Sequence, residues 1–200
     1  MTFAKGNGVE LRVLEGTEHE VRKWTDGVMS HLTTEHLFTG SFPMRYIDVK
    51  EQWEKERKAG DVLFGVWTYC DKEDKRAPAY LPYGGTEYGI CLIGTCGLHS
   101  HREIYRSWEA RFLIFDATAV GKGIGAEVVN LLTKYAFRKL NAHRVWLGVS
   151  ADNLRAVKCY LSVGYKIEGT LKDELFYDGK YHDVYRMAMM ENDEWKSIVR

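Results

Sequence analysis

Residues 120–127 read Val-Gly-Lys-Gly-Ile-Gly-Ala-Glu, with glycines at 121, 123 and 125 directly ahead of a helix-like pattern. Such a turn lets successive backbone N–H groups approach an anion without a Cβ in the way, and the positive end of a helix dipole adds to the attraction. About thirty residues later Asn153, Ala156 and Tyr160 stand at i, i+3 and i+7. On a helix these share one face, so an amide, a small residue and a phenol would line one groove. The plainer reading of the same letters is an N-cap and a half-buried core tyrosine.

Three phosphate-binding devices compete for the glycine stretch. The triphosphate loop fails, because Asp116 stands where its first glycine belongs and Gly123 where its metal-binding hydroxyl belongs. The dinucleotide fingerprint G-x-G-x-x-A is met in letters from Gly121 to Ala126. Its glycines should follow a strand directly, however, and here "DATA" intervenes. The third device is Gln/Arg-x-x-Gly-x-Gly/Ala, which delivers helix-start amides to the diphosphate of coenzyme A. Gly123 and Gly125 fit it, and Val120 replaces the usual head residue. On the loop alone this reading and that of a tightly packed helix start stand level.

The elements that would position these residues follow from periodicity. "GVELRVL" alternates as a strand, and Val21, Trp24, Val28 and Leu32 mark a helix from Glu18 to about Leu32. A second, highly charged helix, "VKEQWEKERKA", is capped by Asp48 and stopped by Gly60. Strands "VLFGVWTY", "GICLIGTCGL" and "WEARFLIFD" follow, the first two separated by a long polar loop. A helix from about Gly123 to Leu140 carries the stripe Ile124, Val128, Leu131, Leu132, Tyr135 and Ala136. Strand "HRVWLGVS", a short helix ending at Gly164, and strands "YKIEGTL" and "HDVYRMAMM" around an Asp178-Gly179 turn complete the order. The fold class is α/β (α+β). It is one domain over residues 1–200, with a mixed, mostly antiparallel sheet of about seven strands flanked by about four helices.

Composition narrows the function classes. Lys+Arg and Asp+Glu are 28 each in 200 residues, which leaves no general electrostatic footprint for nucleic acid. No run approaches the roughly 18 apolar residues of a membrane span, and the opening residues lack a signal-peptide core, so a cytoplasmic location is expected. The four cysteines read as free thiols. Cys91, Cys96, His99 and His101 lie close in sequence, but strand alternation puts Cys96 on the opposite face from the others, and no metal site is expected.

The stretch "FLIFDATAVGKGIGAEVVNLL…LNAHRVWLGVSADNLRAVKCYLSVGYKIEGTLKDELFYDGKYHDVYRMAMM" resembles the GNAT superfamily of acyl-coenzyme A-dependent N-acetyltransferases. It is similar to the branch holding ribosomal-protein N-terminal and spermidine N-acetyltransferases, over about residues 105–190. The resemblance implies direct transfer of an acetyl group from acetyl-CoA, the co-substrate, to a primary amine. The acceptor would be a small molecule (a polyamine, an amino sugar or similar) or a protein N-terminus. It implies bulged-strand amides near Leu113, Ile114 and Phe115 for the pantetheine and acetyl carbonyl. The N–H groups from Lys122 through Gly123, Ile124 and Gly125 to Ala126 would cradle the diphosphate, with Val120 and Gly121 as further cofactor-binding residues of the same loop. Asn153 would bond the pantetheine arm, and Tyr160 would protonate the departing thiolate.

Glu109 is a candidate base by strand parity with Leu113 and Phe115, level with the reading of an exposed strand glutamate; in the spermidine-type branch the comparable carboxylate falls one residue later, at Ala110. The acceptor would be chosen by residues 17–59, 71–87 and 172–183, where Trp24, Phe42, Tyr46, Tyr80, Tyr83, Glu174 and Asp178 could surround a cation. No nucleic-acid or membrane partner is expected, and the oligomeric state is open, a homodimer included. The alternative is an inactive acyl-CoA-binding sensor or interaction module of the same fold.

Overall fold

The computed structural model describes residues 2–6, 8–28, 46–71 and 88–193. Eight strands form one sheet: β1 Thr2–Lys5, β2 Val9–Val13, β3 Val62–Asp71, β4 Tyr88–Arg102, β5 Ser107–Ile114, β6 Arg144–Ser150, β7 Lys166–Tyr177 and β8 Lys180–Met190. Their spatial order is β1-β2-β3-β4-β5-β6-β8-β7. Every neighbouring pair is antiparallel except β5–β6. The sheet exceeds the expected seven strands by β1, whose four residues are too short to show an alternation. Four helices are described: α1 Glu18–Val28, α2 Tyr46–Lys58, α3 Ile124–Lys139 and α4 Leu154–Val163. No described helix is long and apolar enough to cross a membrane.

Strand alternation gives the sheet two unlike faces. Val9, Leu11, Phe64, Val66, Leu98, Trp108, Val145, Leu147, Met187 and Met189 point to one face, where α3 and α4 close the main core through Val128, Leu132, Ala136, Val157 and Val163. Each such side chain, fully buried, contributes about 1.5–3 kcal/mol. A buried hydrogen bond of 2.8 Å between Thr133 Oγ1 and Tyr165 Oη adds a polar pin within that core. On the other face a smaller cluster, Leu14, Val21, Val49 and Trp53, packs beneath α1 and α2 with Trp24 and Leu63.

Local chemistry sets the boundaries. Thr17 and Glu20 form a capping box at the start of α1: Glu20 N–H donates to Thr17 Oγ1 (3.3 Å), and Thr17 N–H donates to Glu20 Oε2 (3.0 Å). Helix α2 begins at Tyr46, so Asp48 lies within its first turn and is not the cap expected of it. The favourable position for a carboxylate near a helix N-terminus is retained. Asp178 and Gly179 both take positive φ (49° and 75°), as a two-residue hairpin turn requires.

One irregularity overturns the expected parity of β4. Val66 pairs with Gly94 and Trp67 with Leu92, leaving Ile93 as an extra residue. Beyond it the faces exchange, so Cys91 and Cys96 both enter the main core while His99 points to the other face, where its Nδ1 meets Asp61 Oδ2 at 2.9 Å. Among the described residues no three His, Cys, Asp or Glu side chains gather as a metal site. Cys96 and Cys159 are free, whereas Cys91 is disulfide-bonded, contrary to the reading of all cysteines as thiols.

Candidate active site

The sheet opens where its one parallel pair ends. Strand β5 pairs with β6 only at Ser107–Arg144, Trp108–Val145 and Glu109–Trp146, yet it stays paired with β4 through Ile114. Two hydrogen bonds fix which amides face the opening. Arg106 C=O accepts from Arg144 N–H on the β6 side, and Phe115 N–H donates to Ile93 C=O on the β4 side (3.0 Å). Because consecutive backbone groups alternate, the amides of Phe112 and Ile114 point toward the splay and that of Leu113 points to β4. Asp116 N–H also donates to Ile93 C=O (3.2 Å), the two-on-one pattern of a β-bulge.

Of the three strand residues expected to present amides, Ile114 therefore does so and Leu113 and Phe115 do not. Phe112, which the sequence reading passed over, takes the second position. The Phe115 ring is turned elsewhere: a Cβ at Gly27 would lie 2.4 Å from its Cγ.

A groove of about 840 Å³ runs through this opening. At one end it meets the glycine turn. Gly121 and Gly123 have φ of 80° and 76°, a region that penalises any side chain, so the turn depends on glycine there. Gly123 is the N-cap of α3 and makes no side-chain cap, and the first backbone bond of the helix is Glu127 N–H to Gly123 C=O. The amides of Ile124, Gly125 and Ala126 consequently have no partner among the described residues, at the positive end of a sixteen-residue helix.

Val120 N–H is spent on Ala117 C=O (3.3 Å), so the cradle starts after it, although Val120 still lines the groove. Lys122 and Ile124 do not line it; Lys122 is exposed, while Ile124 belongs to the core. Gly125 lets α3 approach its neighbours, since a Cβ there would lie 3.3 Å from the Phe112 ring and 3.5 Å from Cys159 Sγ.

Helix α4 supplies the next wall. Asn153 Oδ1 caps it by accepting from Ala156 N–H (3.1 Å). The plainer reading of Asn153 is thus realised, but it does not exhaust the side chain. The amide's NH₂ keeps two donors, and the residue lines the groove. The turn before it is held from the β7–β8 hairpin. His182 Nδ1 bonds Asp152 Oδ2, and the His182 ring stacks on Tyr177 at 3.5 Å and 3°. That bond to His182 is the main reason the Asp152 carboxyl is held below the usual carboxylate range.

Tyr160 lines the groove two turns further on, 93% buried, with its ring edge-on to Phe112 at 6.2 Å. Burial, with Cys159 and Tyr165 beside it, pushes its phenol well above the ordinary range, so it stays protonated. Burial likewise pushes the Cys159 thiol up to about 11. Arg155 and Lys158 on the same helix also face the groove.

The other end of the groove lies on the α1/α2 side of the sheet. Trp24, Gln52, Trp53 and Glu56 line it from the helices, with Trp24 Nε1 donating to Thr95 Oγ1 at 3.1 Å. Glu109, Arg111, Trp146, Leu171, Glu174 and Arg186 line it from the strands. Arg111 takes both oxygens of Glu109, Nε to Oε1 at 3.0 Å and Nη2 to Oε2 at 3.1 Å. The sequence reading missed Arg111, Trp146 and Arg186, whose nearness comes from three strands far apart in the chain. Phe42, Tyr80 and Tyr83 lie outside the described residues, as does the side chain of Tyr46. Asp178 sits in the hairpin turn, away from the groove lining.

A mixed sheet splayed at its single parallel pair, with a glycine-started helix N-terminus on one side, defines an acyl-coenzyme A N-acyltransferase fold. A family profile for the acetyltransferase (GNAT) domain matches residues 12–166, and the chain belongs to that family. It is 36% identical over 101 residues to a spermidine N(1)-acetyltransferase of Vibrio cholerae, covering 50% of this chain and 58% of that one. It is 28% identical over 121 residues to the putative ribosomal N-acetyltransferase YdaF of Bacillus subtilis, covering 58% and 65%. The chain thus spans less than two thirds of the length of these curated relatives. The structure of the V. cholerae spermidine N-acetyltransferase with CoA and spermine superposes with a TM-score of 0.75 at 24% identity, over 94% of this chain and 98% of that one. That likeness is one of fold.

Proposed function

We propose that this chain is an acetyl-CoA-dependent N-acetyltransferase acting on a primary amine. The observation that carries the proposal is convergence on one groove. The unpartnered amides of Gly125 and Ala126, the opening-facing amides of Phe112 and Ile114, and the protonated phenol of Tyr160 all meet there. In this reading the α3 amides hold the CoA diphosphate and the Asn153 NH₂ donates to the pantetheine arm. Ile114 or Phe112 N–H stabilises the oxyanion that forms as the amine attacks the thioester carbonyl. The C–N bond forms, the C–S bond breaks, and Tyr160 gives its proton to the leaving thiolate.

The amine must lose a proton to attack. Glu109 stands at the last β5–β6 pair, where the opening begins, but Arg111 engages both its oxygens. It therefore accepts a proton only through its remaining lone pairs, by way of water. Relatives named as spermidine, ribosomal and L-amino acid N-acetyltransferases support an amine acceptor without choosing among these classes. Self-association, at least to a homodimer, and a cytoplasmic location belong to the same reading; a V. cholerae spermidine N-acetyltransferase at 25% identity and TM-score 0.68 forms a dodecamer.

The test is release of CoA thiol from acetyl-CoA across a panel of polyamines, amino sugars, amino acids and N-terminal peptides. Turnover on at least one amine, lost in Tyr160→Phe, is expected. Tight CoA binding without turnover on any amine would instead make the chain an acyl-CoA-binding module.

A further inference from the structure

Arginines on the sheet and its turns are mostly spent on carboxylates. Arg12 binds Glu10, Arg111 binds Glu109, Arg144 binds Glu168 and Arg106 binds Glu191. Arg186 differs. It lines the acceptor end of the groove, half-buried, and has no carboxylate partner among the described residues. Its guanidinium instead lies 4.0 Å from the centroid of the Trp146 ring. Stacking of that kind fixes the plane of the fork while leaving its N–H donors unused.

The floor beside it is open as well. Arg186 pairs in register with Gly148, which places no side chain between Trp146 and Ser150 on that face. Carboxylates stand elsewhere in the same groove: Glu174 on β7, Glu56 on α2, and Glu109 already neutralised by Arg111. The groove therefore offers a positive anchor and separate negative ones.

We infer that Arg186 anchors an anionic group of the acceptor, so the substrate is an amine that also carries a carboxylate, of amino-acid type. This inference rests on the transferase reading above and narrows it. A preorganised, partly desolvated guanidinium makes two parallel charge-assisted bonds to a carboxylate. The same group repels a polycation, so a polyamine would meet a like charge on the groove floor. Arg186 lies two strand positions from β5, about 10 Å, so the span from amine to carboxylate selects chain length.

The experiment compares glycine and its longer ω-amino homologues, each against its own carboxamide and against spermidine, with acetyl-CoA saturating. At least one carboxylate acceptor is expected to exceed its carboxamide by about tenfold or more in kcat/KM, chiefly through KM. Arg186→Met, which keeps the contact with Trp146, should erase that preference; Arg186→Lys should restore part of it. CoA affinity by calorimetry should stay unchanged in both. Equal use of carboxamides, a preference for spermidine that Arg186→Met leaves intact, or loss of CoA binding in Arg186→Met would each overturn the inference while leaving a working transferase. CoA binding without turnover on any amine would remove the transferase reading, and this inference with it.

Discussion

The two sides of the splay are built from different materials. On the α3/α4 side the polar donors begin with backbone: the helix-start amides of Gly125 and Ala126, two strand amides and glycines that keep Cβ atoms away. On the α1/α2 side the groove is side chains: Trp24 and Glu56 from helices, Glu109 and Arg111 from β5, Trp146 from β6, Arg186 from β8. A backbone site serves a ligand that does not change, because its geometry depends on a few letters in one short stretch. A side-chain site can be rewritten one residue at a time without touching the fold, and this is the side that the proposed reaction gives to the acceptor.

The largest expected effect sits where the two sides meet. Tyr160→Phe should lower kcat about a hundredfold or more, since a positioned general acid contributes about 10²–10⁴-fold. CoA affinity should stay within a few-fold, because the amide cradle is untouched. A fall in CoA affinity that matches the fall in kcat would show that Tyr160 binds more than it catalyses.

Next comes the cradle itself. Gly123→Leu places a side chain at φ 76°, where L-residues pay about 1–2 kcal/mol, and crowds the anion's approach to the helix start. CoA binding by calorimetry should weaken by about tenfold or more. Gly121 separates strain from access. Nothing lies within 4 Å of a Cβ there, yet its φ is 80°, so Gly121→Ala should lower thermal stability with a smaller change in CoA affinity. Unchanged CoA affinity in Gly123→Leu would remove the diphosphate from this turn.

That contrast explains what could be read from the sequence. The order of strands and helices after residue 60 follows from two periodicities, and the glycine turn and Asn153–Tyr160 face follow from local spacing. What escaped depends on register. One extra residue at Ile93 exchanges the faces of β4 and cannot be seen in "YGICLIGTC". The choice of Phe112 and Ile114 over Leu113 and Phe115 depends on which neighbour each backbone group faces, which alternation within one strand leaves undetermined. Arg186 and Trp146 are forty residues apart in the chain and meet only because β8 crosses back beside β6. A long-range side-chain pair leaves no local signal.

Glu109→Gln is the third test and should have a smaller effect. With Arg111 occupying both carboxylate oxygens, loss of the charge should lower kcat by only a few-fold and leave the acidic limb of the pH profile in place. A drop as large as that of Tyr160→Phe, with the limb displaced, would assign proton removal to Glu109 and require Arg111 to release it during turnover.

The smallest effect on activity is expected at the β1–β2 edge of the sheet, where Glu10 is 94% buried in a polar cluster. Burial alone would raise its carboxyl. Hydrogen bonds from Arg12, Tyr69 (2.7 Å), Thr2 (2.9 Å) and Lys5 outweigh it and hold the carboxyl at about 2. Because the folded value lies below the unfolded one, this stabilisation is complete above about pH 4.5 and is lost as pH falls through about 2. The difference corresponds to about 3 kcal/mol at neutral pH. Glu10→Gln should therefore lower the denaturation midpoint at pH 7 and flatten the acid limb of stability between about pH 4.5 and 2, measured by urea unfolding. Its kcat and its KM for both substrates should match the parent, because Glu10 lies beyond the α1/α2 cluster on β2 and does not line the groove. A change in KM without a change in stability would mean that the β1–β2 edge of the sheet reaches the acceptor end of the groove.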